Sequence, residues 1–449
     1  MTIAEAPRQP TTRQPNAPQS TALPPGVREP PAGPGSGNPP PGRETGARET
    51  GGAFAALRSR GYRIYLTGQS LANTGAWMQS IAQDWLVFSL TRSSTAVGVT
   101  MALQFGPMLL LGLHAGAVAD RLPKRRILLT TQLLNAIATA ALAVITIGGW
   151  ARPGDVYGFA LAVGLIFAFD APARQAFVTE VVPPAQLRAA ISMNAAVFQA
   201  TRLIGPAIAS VLIASVGTGW VFALNAACYL GPTAGLLLLR ASDLRPVPPL
   251  RREPGAVRVA AGYVLRHPDV GWTIFLVGML GCFGLNFPIV LTAMAKAFHG
   301  NASTYGLFNI ILAAGSSAGA LLAGAARRPR VRAIVVTGAT FGVLEVVAAV
   351  MPGLAAFLPV IAIMGFVNLM CQAMANAYVQ LAVDPQMRGR VMGLYMLVFV
   401  GGTPFGAPFI GWVTSHFGAR AGMITCGAIP AVAAVVAAVA LARVRRRRT

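Results

Sequence analysis

Twelve apolar runs dominate the chain, each about as long as a helix needs to cross the ~30 Å hydrocarbon layer of a membrane. They cover residues 62–90, 95–118, 127–149, 155–173, 189–214 and 219–239, then 269–298, 303–325, 332–351, 354–378, 388–414 and 420–442. Short polar links separate them, so the pattern predicts an all-α membrane protein of twelve transmembrane helices. Only 11% of the 449 residues are charged, against ~25% in a soluble domain, which excludes an ordinary cytosolic protein.

The formal net charge of +22 would suit a nucleic-acid binder if the basic residues shared a surface. Instead they sit in the links. Those after the second, fourth, sixth, eighth and tenth spans carry 4, 2, 6, 4 and 2 Arg or Lys, 18 in all, whereas the opposite links carry four: Arg92, Arg152, Lys296 and Arg420. Basic loops stay on the cytoplasmic side, so both termini are predicted to be cytoplasmic and no nucleic-acid partner is expected. Residues 443–449 form a basic cytoplasmic tail suited to anionic headgroups. Residues 1–56 hold 12 of the 33 prolines and almost no large apolar side chains, which predicts a disordered tail without a secretory signal. The four cysteines fall inside apolar runs without metal-ligand spacing, so buried thiols are expected, with no metal and no cofactor.

A weak internal repeat divides the spans into two sets of six. A shift of 201 residues aligns Pro184, Val197, Phe198, Gly205 and Gly217 with Pro385, Val398, Phe399, Gly406 and Gly418. A shift of 208 aligns Gly98 and Gly116 with Gly306 and Gly324. The predicted organisation is a bundle over 57–239, a cytoplasmic linker over 240–268 and a second bundle over 269–442. Two pseudo-symmetric six-helix bundles around a central cavity is an architecture of secondary transporters.

The link between spans 2 and 3 reads Gly116-Ala117-Val118-Ala119-Asp120-Arg121-Leu122-Pro123-Lys124-Arg125-Arg126. Its small residues permit close helix approach, and positive charge alone would not call for an aspartate. The stretch resembles the G-x-x-x-D-R-x-x-[RK]-[RK] signature of the major facilitator superfamily. Its second-half counterpart, Gly324 to Arg330, keeps glycine and arginines but lacks the acid. Gly205-Pro206-Ala207-Ile208-Ala209-Ser210 resembles the antiporter motif of superfamily exporters, with Ala209 and Ser210 in place of glycines; Gly406 lies in the matching stretch of span 11. A kinked structural helix explains both stretches nearly as well. Trp77 to Trp85, Asp170 to Phe177 and Arg388 to Tyr395 narrow the resemblance to the branch of enterobactin exporters and macrolide-type efflux proteins. That resemblance implies export of small molecules driven by proton entry.

Ionisable groups within the bilayer cost about 2.5–3.5 kcal/mol each on insertion scales, so each needs a partner or a wet cavity. Asp84, Arg202 and Glu345 are the candidates for proton coupling or an ion pair. Arg202 lies near the middle of span 5, where it would meet an acid or an anionic substrate; the alternative is a static buried pair. Burial would favour the neutral, proton-carrying form of Asp84, whereas an interfacial Asp would stay ionised. Gly116, Asp120, Arg121, Arg125, Asp170 and Arg174 are candidates for a cytoplasmic gate in which opposite charges latch one access state. Family architecture puts spans 1, 4, 7 and 10 around the cavity. Gln69 and Asn73 on span 1, Asn286 on span 7, and Asn368, Gln372 and Asn376 on span 10 would then face substrate, or else join helices by hydrogen bonds.

No Walker loop or HExxH motif appears, so no enzymatic activity is expected. The best reading is a monomeric plasma-membrane exporter of an amphipathic antibiotic, drug or siderophore-like metabolite by proton antiport. Nutrient uptake and a non-transporting sensor are the alternatives.

Overall fold

The computed structural model describes residues 55–240, 244, 256–325 and 329–446, apart from a few side chains within them, that of Asp120 included. Residues 1–54 of the predicted disordered tail, residues 241–243 and 245–255 of the 240–268 linker, and Arg327 and Arg328 therefore lie outside the described residues. Residues 57–239 and 269–442, the two predicted bundles, are almost wholly helical, with no strand among the described residues.

Six spans form the first half: α1 (Arg60–Thr91), α2 (Ser94–Arg121), α3 (Lys124–Ile147), α4 (Pro153–Val181), α5 (Leu187–Ser215), and a sixth broken into α6 (Thr218–Cys228) and α7 (Leu230–Leu238). A short linker helix, α8 (Ala256–Arg266), follows. In the second half, the seventh span is α9 (Pro268–Met279), a π turn over Leu280–Gly284 and α10 (Phe287–Ala297). Then come α11 (Ala302–Ala325), α12 (Val331–Ala349), α13 (Leu354–Ala382), a broken pair α14 (Pro385–Gly401) and α15 (Thr403–Phe417), and α16 (Ala419–Arg446). Part of the predicted basic tail thus continues the last helix.

Local chemistry sets the boundaries. The Ser59 and Ser93 side chains accept the backbone N–H of Tyr62 and Ala96 and so start α1 and α2. Proline opens α4, α9 and α14, where its missing N–H costs nothing. Eleven of the twelve spans are long and apolar enough to cross a membrane. The exception is α1, whose buried side chains include Gln69, Gln79, Gln83 and Asp84. Its polarity follows from its place: Gln79 accepts from Thr139 of α3 and Asn225 of α6, and Gln83 donates to Gln104 of α2. A helix surrounded by protein can carry amides that lipid would not tolerate.

The two halves are related by the repeat read from the sequence. Gly217 and Gly418, 201 positions apart, close the fifth and eleventh spans with nearly the same left-handed backbone, φ +93° and +90°. Gly205 packs its span against α1, where a Cβ would come 2.5 Å from the Cβ of Trp77. Gly406, its counterpart, packs against the Cys282 carbonyl in the seventh span. Gly98 of α2 abuts Ala407 and Pro408 of α15, and Gly306 of α11 abuts Pro206 and Ser210 of α5. Spans 2 on 11 and 8 on 5 are one crossing used twice.

Candidate functional site

The halves meet at one end. Away from the basic links, the Tyr305 hydroxyl of α11 donates to the Asp84 carboxylate of α1 at 2.9 Å, and Trp85 stacks on the same ring. Asp84 is 3% exposed and Tyr305 is fully buried. Beside them Ser415 of α15 accepts from the Thr95 backbone N–H at 2.9 Å and lies 3.3 Å from the Ser93 hydroxyl. The paired glycine crossings at Gly98 and Gly306, together with Gly411 against Ser94, complete this seal.

At the basic end a set of hydrogen bonds and ion pairs ties the first half to itself. Arg174 pairs with Asp170, which also accepts from Thr131 at 2.7 Å and Gln132 at 3.3 Å. Lys124 meets Glu180 at 3.1 Å, Arg125 donates to the Leu237 carbonyl, and Tyr62 donates to the Ala190 carbonyl. Around these contacts runs a separate buried cluster, including Tyr62, Tyr65, Leu66, Ile127, Leu128, Phe177 and Leu236, drawn wholly from the first half. The main core, by contrast, takes residues from both halves. Of the six predicted gate residues, the structure joins Asp170 to Arg174, buries Gly116, leaves Arg121 exposed and ties Arg125 within its own half. The Asp120 side chain lies outside the described residues.

The interior polar candidates fall into pairs. Gln69 donates to Asn73 at 2.8 Å, Gln372 to Asn368 at 2.7 Å and Gln380 to Asn376 at 2.6 Å. Each pair spans one helical turn, so the seam on α13 is a chain of neighbouring amides with donor and acceptor capacity left over. Asn286 is placed differently. It is fully buried, and its amide donates to the Cys282 and Phe283 carbonyls at 2.9 and 2.8 Å, filling the gap that the π turn opens in the backbone ladder. Glu345 on α12 is also fully buried, close to Gly284 of that turn and to Gly427 of α16, and neither carboxylate oxygen has a hydrogen-bond partner.

Arg202 sits below the seal on α5, half-buried, with its guanidinium 5.5 Å from the Trp77 ring centroid. Phe198 packs edge-on to the same indole. Gly205 and Pro206 are both buried at the α1 and α11 contacts. Several features could not be read from one sequence: the partnership of Asp84 with Tyr305, 221 positions away, the Lys124–Glu180 pair and the π turn. Only the last left a local trace, in Gly281, Gly284, Asn286 and Pro288 within eight residues. All four cysteines are free thiols, three of them buried. Among the described residues no cluster of three His, Cys, Asp or Glu side chains could hold a metal ion.

Residues 51–448 match the family described as transmembrane secretion effectors. The chain belongs to that family. Relatives of the chain agree in kind. The multidrug efflux pump Tap of Mycolicibacterium fortuitum is 28% identical over 83% of this chain and 94% of its own length. The enterobactin exporter EntS of Salmonella choleraesuis is 24% identical over 78% and 84%. The staphyloferrin A transporter of Staphylococcus aureus is 27% identical over 56% of this chain, an alignment that spans 64% of the relative's length. Among solved structures, a bacterial homolog of the human lysosomal transporter Spinster, inward-facing and occupied, superposes with TM-score 0.64 at 16% identity over 86% and 96% of the two chains. The nucleoside transporter NupG superposes with TM-score 0.67 at 14% identity over 84% and 98%. The chain thus has the major facilitator fold, as the Gly116 to Arg126 signature implied, and is a multi-pass membrane protein.

Proposed function

We propose that this protein exports an amphipathic small molecule, an antibiotic, drug or siderophore-like metabolite, from the cytoplasm across the cell membrane by proton antiport. The observation that carries the reading is the one-sided seal: two pseudo-symmetric bundles joined at one end through a buried carboxyl, Asp84, and separately packed at the other. The positive-inside bias makes the basic end cytoplasmic, along with both termini, so this state opens inward. Residues 57–239 and 269–442 act as the two rocking bodies, with 240–268 as their cytoplasmic linker.

In the outward-opening state the Asp84–Tyr305 tie and the Ser415 contacts break, and Asp84 meets water on the side from which protons enter. Alternating exposure of one carboxyl is what coupling requires, because a proton can drive a conformational change only if it binds the two states unequally. The basic end must then close. Gly116, Asp120, Arg121 and Arg125 stand where the halves would meet, and the Asp170–Arg174 pair braces α4 behind them. The amide pairs on α1 and α13 supply hydrogen bonds to substrate without adding charge to the cavity. A single chain suffices for this cycle, so the transporter works as a monomer.

Reconstituted into proteoliposomes, the protein should move a neutral aromatic amide such as 2-naphthamide against its gradient when a proton gradient is imposed. A protonophore should abolish that movement. Transport unaffected by the protonophore, or dependent on added nucleotide, would overturn the mechanism.

A further inference from the structure

The mid-membrane cation on α5 remains without a role in the cycle above. Arg202 lies fifteen residues from Leu187 and thirteen from Ser215, too deep for its side chain to reach either membrane surface at 1.5 Å per residue. Such a group is expensive to insert and is retained where a counter-charge meets it.

Among the described residues no carboxylate is paired with it. Among the described residues Arg202 has no hydrogen bond and no ion pair; its recorded contact is the Trp77 ring. Asp84 is held by Tyr305, Asp170 by Arg174, Glu180 by Lys124, and Asp384 by Tyr263, while Asp155 caps α4. Glu345 is shut inside the second half beside Gly284 and Gly427.

The face that carries Arg202 is open. At 100° per residue, Ile191, Phe198 and Arg202 lie within about 40° of one another around α5. Toward the seal this face continues into Gly205 and Ala209, buried, with Gly205 held against α1. Toward the basic end it becomes exposed: Phe198 is 46% and Ile191 58% accessible. Exposure therefore begins where the contacts between halves stop, which places Arg202 at the apex of the inward opening. Ile204, Ile208 and Val211, also exposed, lie on the other side of the helix.

The chemistry of this apex is specific. The guanidinium lies over the Trp77 ring and, among the described residues, none of its N–H groups is taken by a hydrogen bond, so the planar fork is free to take a carboxylate in two parallel hydrogen bonds. Phe198 stands edge-on to the same indole with ring centroids 5.6 Å apart, and it presents an exposed ring one helical turn below. The Gln199 amide nitrogen beside it is buried without an acceptor. We propose that Arg202, Trp77 and Phe198 form a subsite for an anionic aromatic substrate, its acidic group on Arg202 and its ring against Phe198 and Trp77. This inference rests on the reading of the opening as a substrate path and adds the class of compound that fits it.

The test uses the full-length protein in lipid nanodiscs and three probes of one shape: 2-naphthoate, its neutral amide 2-naphthamide, and the cation 2-naphthylmethylammonium. Charge-assisted hydrogen bonds are worth about tenfold or more in affinity, so calorimetry should rank naphthoate at least about tenfold above naphthamide, with the cation weakest. Arg202→Gln should erase the difference, Arg202→Lys should keep part of it, and Trp77→Leu should weaken naphthoate and naphthamide alike. If Arg202→Gln proves unstable, the lysine and tryptophan variants carry the same comparison. Equal affinity for naphthoate and naphthamide in the native protein, or a preference that survives in the glutamine variant, overturns the proposal. Proton-driven efflux of 2-naphthoate and of 2-naphthamide is measured in parallel. Efflux without anion preference removes the subsite and leaves export standing, whereas anion preference without efflux does the reverse.

Discussion

At the scale of single residues, the decisive contact is the Tyr305 hydroxyl on the Asp84 carboxylate. Two substitutions separate its roles. Asparagine at position 84 still accepts from Tyr305 but has no group that gains and loses a proton, so Asp84→Asn should insert and fold normally while proton-driven efflux falls by about tenfold or more, the scale of a lost coupling step. Tyr305→Phe removes the hydrogen bond and keeps the carboxyl; efflux should stay proton-dependent, with the seal weakened by about 1 kcal/mol. Efflux assays in proteoliposomes on both variants check the pair, and an Asp84→Asn protein that still transports uphill would remove Asp84 from the mechanism. Half of this contact was legible in the sequence. An acid inside an apolar run draws notice because lipid tolerates it poorly, and Asp84, Arg202 and Glu345 all stood out that way. A tyrosine near the start of an apolar span does not, because its amphipathic ring is at home at a membrane interface without any partner. The amide neighbours were visible as four-residue spacings, Asn368 with Gln372 and Gln69 with Asn73, because helix geometry alone brings such residues together.

At the scale of elements, hydrophobic length located the spans but not their interruptions. The Gly401-Gly402 pair marked the break between α14 and α15, whereas the break at Tyr229 has no glycine at its centre, and its chain follows tertiary packing. The π turn in the seventh span is held by one side chain. Asn286 serves two carbonyls that would otherwise face an apolar interior, in a helix whose next residue but one is proline. Asn286→Leu should therefore cost about 1–2 kcal/mol, the range for a polar group binding helices within a membrane, and lower the melting temperature in detergent without unfolding the bundle. A variant that melts with the native protein would show that the turn is held by packing alone. The glycine crossings are stricter. At Gly98 a Cβ would overlap the Ala407 carbonyl, and backbone cannot step aside as a side chain can. Gly98→Val should consequently disfavour the sealed state, and a cysteine placed at Ser415 should react faster with an aqueous maleimide in that variant than in the native background.

At the scale of the whole molecule, the sequence carries symmetry but not state. Gly217 with Gly418 and Gly98 with Gly306 were detectable as repeats because both halves need the same left-handed turn and the same close crossing, and only glycine supplies either cheaply. Which end is sealed is a property of one conformation among at least two, and twelve spans of similar hydropathy say nothing of it. The side chains that make the seal, Ser93, Thr95 and Ser415, are small polar residues at helix ends, indistinguishable in composition from ordinary caps. Their geometry offers a direct test of alternating access. The Ser93 and Ser415 hydroxyl oxygens lie 3.3 Å apart, so cysteines there bring their sulfurs close to the ~2.0 Å bond of a disulfide after a small rotation. In a background with the four native cysteines replaced, Ser93→Cys with Ser415→Cys should cross-link under mild oxidation. Because α2 and α15 must separate for this sealed end to open, the oxidised protein should lose nearly all transport and regain it on reduction, while either single variant stays active. The locked state should also keep a cysteine at Phe198 reactive toward a maleimide that cannot cross the membrane, supplied from the cytoplasmic side, since that position lies in the open half. Full transport by the cross-linked protein would mean that the halves do not part at this end, and the rocking cycle would have to be abandoned.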